Sequence, residues 1–244
     1  MTIRQRSETE TRAQGFDAKL EAAFEWLGAR SLYVFAVLGT LLVAGAAVAG
    51  FYELNKNRQD AAELALAQVE YGFAVAMGSP IEDFLVSVPF SEEQARRARE
   101  EALAHFEAVV LDHRRTRAAR VASLRAAEME VDLGRWSDAE ARLGKLVGQL
   151  SRRDALRAVA LRLLGFLQEQ QGRFTEAGES YAGAAGVQAY PARASLWMAA
   201  GGSFARAGAT ERALAAFQQV LSLDPELAER EGIVERLSEL AAEG

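Results

Sequence analysis

The chain has 244 residues, of which 50% are hydrophobic and 25% charged, with 20 glycines and 4 prolines. This composition excludes global disorder and leaves room for one folded domain of about 190 residues with an appendage. The absence of cysteine excludes disulfides, zinc-thiolate sites, iron-sulfur clusters and cysteine nucleophiles. A formal net charge of −6 disfavours a nucleic-acid partner. Because Ala and Leu, both strong helix formers, carry most of the apolar content, we expect an all-α protein.

The first segment, 1–30, balances five basic against five acidic side chains. Its apolar residues recur at helical spacing: Phe16, Leu20, Ala23, Phe24 and Leu27. This pattern predicts a cytoplasmic segment with a short amphipathic helix in a membrane interface.

The next segment, 31–53, is predicted to be a single transmembrane helix. It contains 22 consecutive uncharged residues, which as a helix would cover about 33 Å against a hydrocarbon core of ~30 Å. A buried soluble helix and a cleaved signal peptide are the alternatives, since Ala47–Ala49 resembles a peptidase site. Three basic residues flank the segment on its N-terminal side and two on the other, which favours an N-terminus in the cytoplasm.

Residues 54–119 are interpreted as a degenerate first helix pair with a long connection. One helix is expected over 57–78 and the other over 92–112. Ser91 is expected to cap the second helix, with Gln94 three residues on completing a capping box.

The most regular feature is a motif that occurs three times. Gly134, Trp136 and Ala139 recur as Gly172, Phe174 and Ala177, and again as Gly208, Thr210 and Ala213. The glycines are 38 and 36 residues apart. We expect each glycine to end one helix with a positive φ, and each alanine to let the paired helix approach closely. The period predicts a stack of antiparallel helix pairs.

Two further positions repeat with the motif. A small residue stands seven positions before each glycine: Ala127, Gly165 and Gly201. A large residue follows each motif alanine by four positions: Leu143, Tyr181 and Phe217. The small residues are expected where helices touch, and the large ones in the space between neighbouring pairs.

With these residues the chain resembles the tetratricopeptide (TPR) family. The third unit carries the pattern best, through Trp197, Gly201, Phe204, Gly208, Ala213, Phe217 and Pro225. The first two units depart from it, since Ser123 replaces a large anchor and Ala189 replaces a closing proline. The resemblance implies a TPR-like α-solenoid over 120–227, with repeats at 120–153, 158–191 and 194–227 and a capping helix at 228–244.

The whole layout also resembles the ancillary SecYEG translocon subunits. That resemblance implies a single-pass protein of the bacterial inner membrane with a cytoplasmic N-terminus and a periplasmic C-terminal domain. Its partners would be translocon components, chaperones or secretory clients. The alternative is a structural scaffold of an envelope machine for secretion, pilus assembly or cell division, with self-association as an option.

The sequence contains no recognisable catalytic, metal or cofactor signature. His105 and His113 belong to no zinc-binding motif, and Gly144-Lys145 lacks the rest of a phosphate loop. An enzyme is therefore the third hypothesis, and no cofactor is expected. The basic run from His113 to Arg117, with Arg120, is either a solvated turn or a contact for anionic lipid, nucleic acid or an acidic partner segment.

A binding site is predicted from the family's geometry, in which the first helix of each repeat lines a concave groove. The positions that correspond here are Leu124, Glu128, Arg162, Phe166, Glu169, Met198 and Arg206. Their mixture of apolar and charged side chains suits an amphipathic peptide. Leu124 and Glu128 stand where the family's carboxylate clamp has a basic and an amide residue, so that clamp is not expected.

Overall fold

The computed structural model describes residues 31–78 and 91–243, and the side chains of 39–78 and 91–242. The described residues are helical, with no strand. Their ten helices are α1 (Ser31–Ala76), α2 (Glu92–Asp112), α3 (Arg117–Asp132), α4 (Trp136–Gln149), α5 (Ala155–Gln170), α6 (Phe174–Ala185), α7 (Arg193–Arg206), α8 (Thr210–Leu223), α9 (Pro225–Arg230) and α10 (Ile233–Glu243). The helix predicted within 1–30 and the connection before residue 91 lie outside the described residues.

α1 occupies the stretch that we predicted to cross a membrane, and the prediction of a transmembrane helix at 31–53 is wrong. None of the helices described here is both long enough and apolar enough to span a bilayer. In the structure this stretch is the first part of α1, a single helix of 46 residues. The same helix then continues to Ala76 with charged side chains, beginning at Glu53.

The chain divides into two compact units, Met1–Asn57 and Arg58–Gly244. In the second unit each helix from α2 to α8 packs against the next one along the chain, and both α9 and α10 pack against α8. α3 with α4, α5 with α6, and α7 with α8 form three successive helix pairs. The pairs span Arg117–Gln149, Ala155–Ala185 and Arg193–Leu223, against the predicted repeats at 120–153, 158–191 and 194–227.

The glycine between the two helices of each pair has a left-handed backbone. Gly134, Gly172 and Gly208 have φ angles of 74°, 72° and 70°, which confirms the predicted positive φ. In each turn the residue after the glycine donates its N–H to a carbonyl five residues earlier, at Glu130, Gln168 and Phe204 respectively. This hydrogen bond closes the end of the first helix. Only glycine adopts such a φ without steric cost, so the motif glycine recurs in all three pairs.

The small and large repeat positions face each other inside one helix pair. A Cβ added to Gly201 would lie 2.6 Å from the Phe217 ring, and one added to Gly165 would lie 2.9 Å from the Tyr181 ring. The large side chains therefore fill the space left by the small residue of their own pair, whereas we predicted that they fill the space between pairs. Between α6 and α7, Gly178 has the corresponding role against Phe204.

Alanine substitutions at two adjacent glycines of α7 should have opposite effects on stability. At Gly201 the new methyl group would clash with the fully buried Phe217 ring, and overpacking of this kind costs about 1–3 kcal/mol. Gly202 has no atom within 4 Å of an added Cβ, so alanine there gains about 1 kcal/mol of helix propensity.

We expect Gly201→Ala to lower the free energy of unfolding by up to about 2 kcal/mol after that same propensity gain is subtracted. Gly202→Ala should raise it by about 1 kcal/mol. Urea unfolding of the full chain, followed by circular dichroism at 222 nm, measures both. Stabilisation by both variants would show that Gly201 is not in a close contact.

One buried carboxylate joins three helices through an arginine. Glu130 on α3 is 4% exposed. It accepts hydrogen bonds from Nε of Arg142 at 2.9 Å and from Nη2 at 2.7 Å. The same guanidinium on α4 also pairs with Glu107 on α2. The hydrogen bond to Glu130 is the largest influence on Arg142 and raises its pKa, so the cation is fixed in place as the partner of a buried anion.

Candidate peptide-binding groove

The first helices of the three pairs, α3, α5 and α7, line a groove of about 500 Å³. This size lies within the range of ~300–1,000 Å³ that is usual for ligand pockets. Its walls combine apolar, aromatic and charged side chains, with Tyr181 of α6 and two residues of the α6–α7 turn completing them. The lining residues are Glu128, Val131, Asp132, Arg162, Leu163, Phe166, Tyr181, Tyr190, Ala192, Ser195, Leu196 and Ala199.

The apolar part of the groove centres on Phe166. Phe166 is 42% exposed, which is unusually high for an aromatic residue in the middle of a helix. Tyr190 from the α6–α7 turn and Leu196 from α7 lie in the same lining. A partner's apolar side chain could therefore bury surface against two aromatic rings and an aliphatic side chain.

The groove contains two acidic side chains and one basic side chain, but only the basic one is free of an ion pair within the described residues. Glu128 pairs with Arg125 at 2.9 Å, and Asp132 pairs with Arg99 at 3.2 Å. Arg162 is exposed and has no ion pair with any of the residues described. The acids are thus already neutralised, and Arg162 is the charge that remains open to a ligand.

Tyr181 gives the groove a fixed wall. The residue is buried, and its hydroxyl donates to Oε2 of Glu169 at 3.1 Å. Burial, and then the negative charge of Glu169, raise the pKa of the Tyr181 phenol well above its usual range, so the hydroxyl stays protonated at neutral pH. Glu169 also pairs with Arg206 of α7 at 2.5 Å. The pair connects the first helices of the second and third repeats.

The structure brings together three of the seven residues predicted for the groove: Glu128, Arg162 and Phe166. The other four lie elsewhere. Leu124 is buried in the core between α3, α4 and α5, Met198 packs partly buried against the C-terminal core, and Glu169 and Arg206 pair with each other.

Residues that the sequence reasoning missed are those on the N-terminal half of α7 and in the turn before it. The groove crosses successive helices obliquely. Asp132, Phe166 and Ala199 line it from positions two, six and nine residues before the turn glycine of their respective repeats. Each step moves the contact by about one helical turn. Equal positions in each repeat, which were used for the prediction, therefore do not lie on one line.

Within the described residues, no group of three or more His, Asp or Glu side chains is placed to hold a metal ion. His105 lies 3.7 Å from Glu101 on the same helix, and both side chains are exposed.

The helix pairs with their glycine turns form a TPR-like stack. No protein-family model and no curated protein sequence matches the chain. Among solved structures, the chain is similar to two crystal structures of a putative kinesin light chain from Podosopora anserina, which has nearly identical TPR-like repeats. Each is 14% identical with a TM-score of 0.48, and the alignments cover 72% of this chain and 94% or 93% of the other.

Proposed function

We propose that this chain is a protein-interaction module whose groove between α3, α5 and α7 binds an amphipathic peptide segment of a partner protein. The observation that carries the proposal is the exposed Phe166 ring, which lies beside an unpaired Arg162 in a groove of about 500 Å³. Helix grooves of this kind recognise extended or helical peptides through a few anchoring side chains.

The geometry specifies the chemistry of the segment. Arg162 and Phe166 are four residues apart, so their side chains project from the same face of α5, one turn from each other. A ligand that places an apolar side chain on Phe166 can therefore place a carboxylate on Arg162. Aromatic residues in the centre of an interface, with a neighbouring arginine, are the positions that contribute most to affinity.

The predicted translocon, chaperone and secretory partners stay predictions, as do the periplasmic location and the alternative of an assembly scaffold. The groove selects a partner segment whose apolar side chain reaches Phe166 while its carboxylate reaches Arg162. Those two features are what a partner of any origin would share.

Photo-crosslinking from inside the groove tests the proposal. Phe166 is replaced by p-benzoylphenylalanine in the full chain, and the crosslinked partner segment is sequenced by mass spectrometry. The matched control carries the same probe at Trp136, an aromatic residue of α4 that is 40% exposed and does not line the groove. We expect one recurrent segment, with apolar and acidic residues in register, from position 166 and not from position 136.

Affinity measurements then show whether the groove residues contribute to binding or only lie near the bound segment. For the recovered segment as a labelled peptide, we expect Phe166→Ala and Arg162→Glu each to weaken binding at least tenfold, which corresponds to about 1.4 kcal/mol. Trp136→Ala and Arg152→Glu change similar exposed side chains outside the groove and should stay within about twofold of the unmodified chain. Fluorescence anisotropy measures all four variants. Equal losses in the groove and control variants would refute the assignment of the site.

A further inference from the structure

A second and larger opening lies on another face of the same domain. A pocket of about 1110 Å³ is enclosed by α2, α3, α4 and the turn between α2 and α3. We call it the basic pocket, because its lining includes Arg114, Arg115, Arg120, Arg135 and Lys145. Its volume exceeds the ~300–1,000 Å³ of ordinary small-ligand sites.

The basic pocket and the peptide groove share no lining residue. Ala119 lines the pocket, and Glu128, nine residues later, lines the groove. Nine residues are 2.5 turns of an α-helix, so the two side chains point in opposite directions. The two sites can be occupied independently of each other.

The charge of the basic pocket is opposite to that of the whole chain. Its lining contains six basic side chains, the five named above and Arg142, against three acidic ones. Two of those acids, Glu107 and Glu130, are already paired with Arg142. Within the described part of the chain, four of the cations have no ion pair: Arg114, Arg115, Arg120 and Lys145. An excess of free cations in a protein of net charge −6 is a local and specific feature.

The backbone that carries the cations of the α2–α3 turn has a defined conformation. Arg115 has a φ of 68°, and it is the single non-glycine residue of the described chain with a positive φ. Such strain in a bulky residue persists only where the surroundings impose it. Here Thr116 imposes it, since its buried hydroxyl donates to the carbonyl of His113 at 2.7 Å and accepts the N–H of Ala119 at 3.1 Å.

The pocket also contains an unsatisfied donor. Nε of Arg120 is buried and has no hydrogen-bond acceptor. Buried donors are almost always satisfied in folded proteins. A carboxylate bound in the pocket would pair with the exposed neighbouring arginines, Arg114 and Arg115.

We propose that the basic pocket binds an acidic peptide segment of a partner protein. Charge complementarity specifies the carboxylates, and the size of the pocket specifies a segment rather than a single small anion. The exposed side chain of Leu111, with Val110 beside it in the lining, provides an apolar surface. The segment therefore alternates acidic with apolar residues. This apolar surface beside the cations favours a peptide over a nucleic acid, because a nucleic acid has no aliphatic side chain to place there.

The test uses a fluorescein-labelled peptide of alternating Glu and Leu and the full-length chain, with fluorescence anisotropy as the readout. The variant Arg114→Glu with Lys145→Glu reverses two exposed cations of the pocket. The matched control is Arg152→Glu with Arg153→Glu, the same change of charge at two exposed residues outside the pocket. Circular dichroism establishes that all three proteins have the same helix content.

We expect the pocket variant to bind at least tenfold more weakly than the unmodified chain and the control variant to stay within about twofold. Affinity should also fall when the salt concentration rises from about 0.05 M to about 0.5 M, because exposed charges are then screened. Phe166→Ala should leave this affinity unchanged, since Phe166 does not line the basic pocket. That result separates this proposal from the proposed function.

Three outcomes would overturn the proposal. A peptide with Gln in place of every Glu could bind equally well, which would show that charge is not what is recognised. The control variant could lose as much affinity as the pocket variant, which would show attraction to the whole surface. A single-stranded oligonucleotide of equal charge could bind as tightly as the peptide, which would make the site a general polyanion site.

Discussion

Replacing Arg142 with methionine is expected to lower the free energy of unfolding by about 3–5 kcal/mol. Methionine keeps most of the side-chain volume but removes both hydrogen bonds to Glu130, which is 4% exposed. The carboxylate is then buried without a partner, and desolvation of an unpaired charge is among the largest single costs in a folded protein. Urea unfolding of the full chain measures the loss.

Two further proteins identify the buried charge as the cause. Arg97→Met removes an equally close ion pair, to Glu93, from an exposed surface, and such pairs contribute at most about 1 kcal/mol. The double variant Glu130→Leu with Arg142→Met removes both charges, and we expect it to recover most of the lost stability. Failure of the double variant to recover would show that the guanidinium matters for its contact with Glu107 or for packing.

Replacing Phe217 with alanine is expected to cost about 3–5 kcal/mol. The residue is 1% exposed, and its ring fills the space above Gly201 in the third helix pair. Alanine would leave a cavity that the backbone of two packed helices cannot close. Thermal or urea unfolding measures the effect.

Phe166→Ala is the matched comparison, because it removes the same ring from the open groove of the second pair. At 42% exposure the loss of stability should be below about 1 kcal/mol. The same substitution is expected to abolish most peptide binding, so stability and affinity should separate cleanly at these two phenylalanines. A large loss of stability at Phe166 would mean that its ring is part of the core.

The helix α3 contributes residues to both proposed sites. One face of this helix contributes Glu128 and Asp132 to a groove whose open features are an aromatic ring and one cation. The same helix contributes Arg120, eight residues before Glu128, to a pocket with several free cations. A partner with an amphipathic segment and an acidic segment could be bound at both places, and two linked contacts raise the effective affinity without any new interaction.

The prediction at the N-terminal end shows the limit of hydropathy. The uncharged run of 31–52 indicated a membrane helix because its length matches a bilayer. In the structure it begins a 46-residue helix, Ser31–Ala76, and no helix of the described chain is long and apolar enough to span a membrane. Composition in a window does not fix where a helix ends, since the residues beyond the window decide whether it continues.

The groove shows a different limit. Phe166 and Arg162 could be named from the sequence because they lie on the first helix of a repeat, and both line the groove. Leu196 and Ala199 could not, because the groove moves by about one helical turn from each first helix to the next. That displacement depends on the angles at which neighbouring helices pack, and those angles result from many side chains that meet only in the folded chain.

The sequence by itself determined the helix pairs and their glycine turns, because both follow from the local backbone or from a period along the chain. The tertiary structure decided that Phe217 packs against Gly201 of its own pair, whereas the repeat predicted a position between pairs. Only the tertiary structure decided which side chains are open to a partner. Leu124 lies in the core because α4 and α5 cover it. Arg120, on the same helix, is not covered in this way and lines a pocket. The pairing of Arg142 with Glu107 and Glu130 is of the same kind, since burial and charge partnership are properties of packing and are not encoded at a fixed spacing.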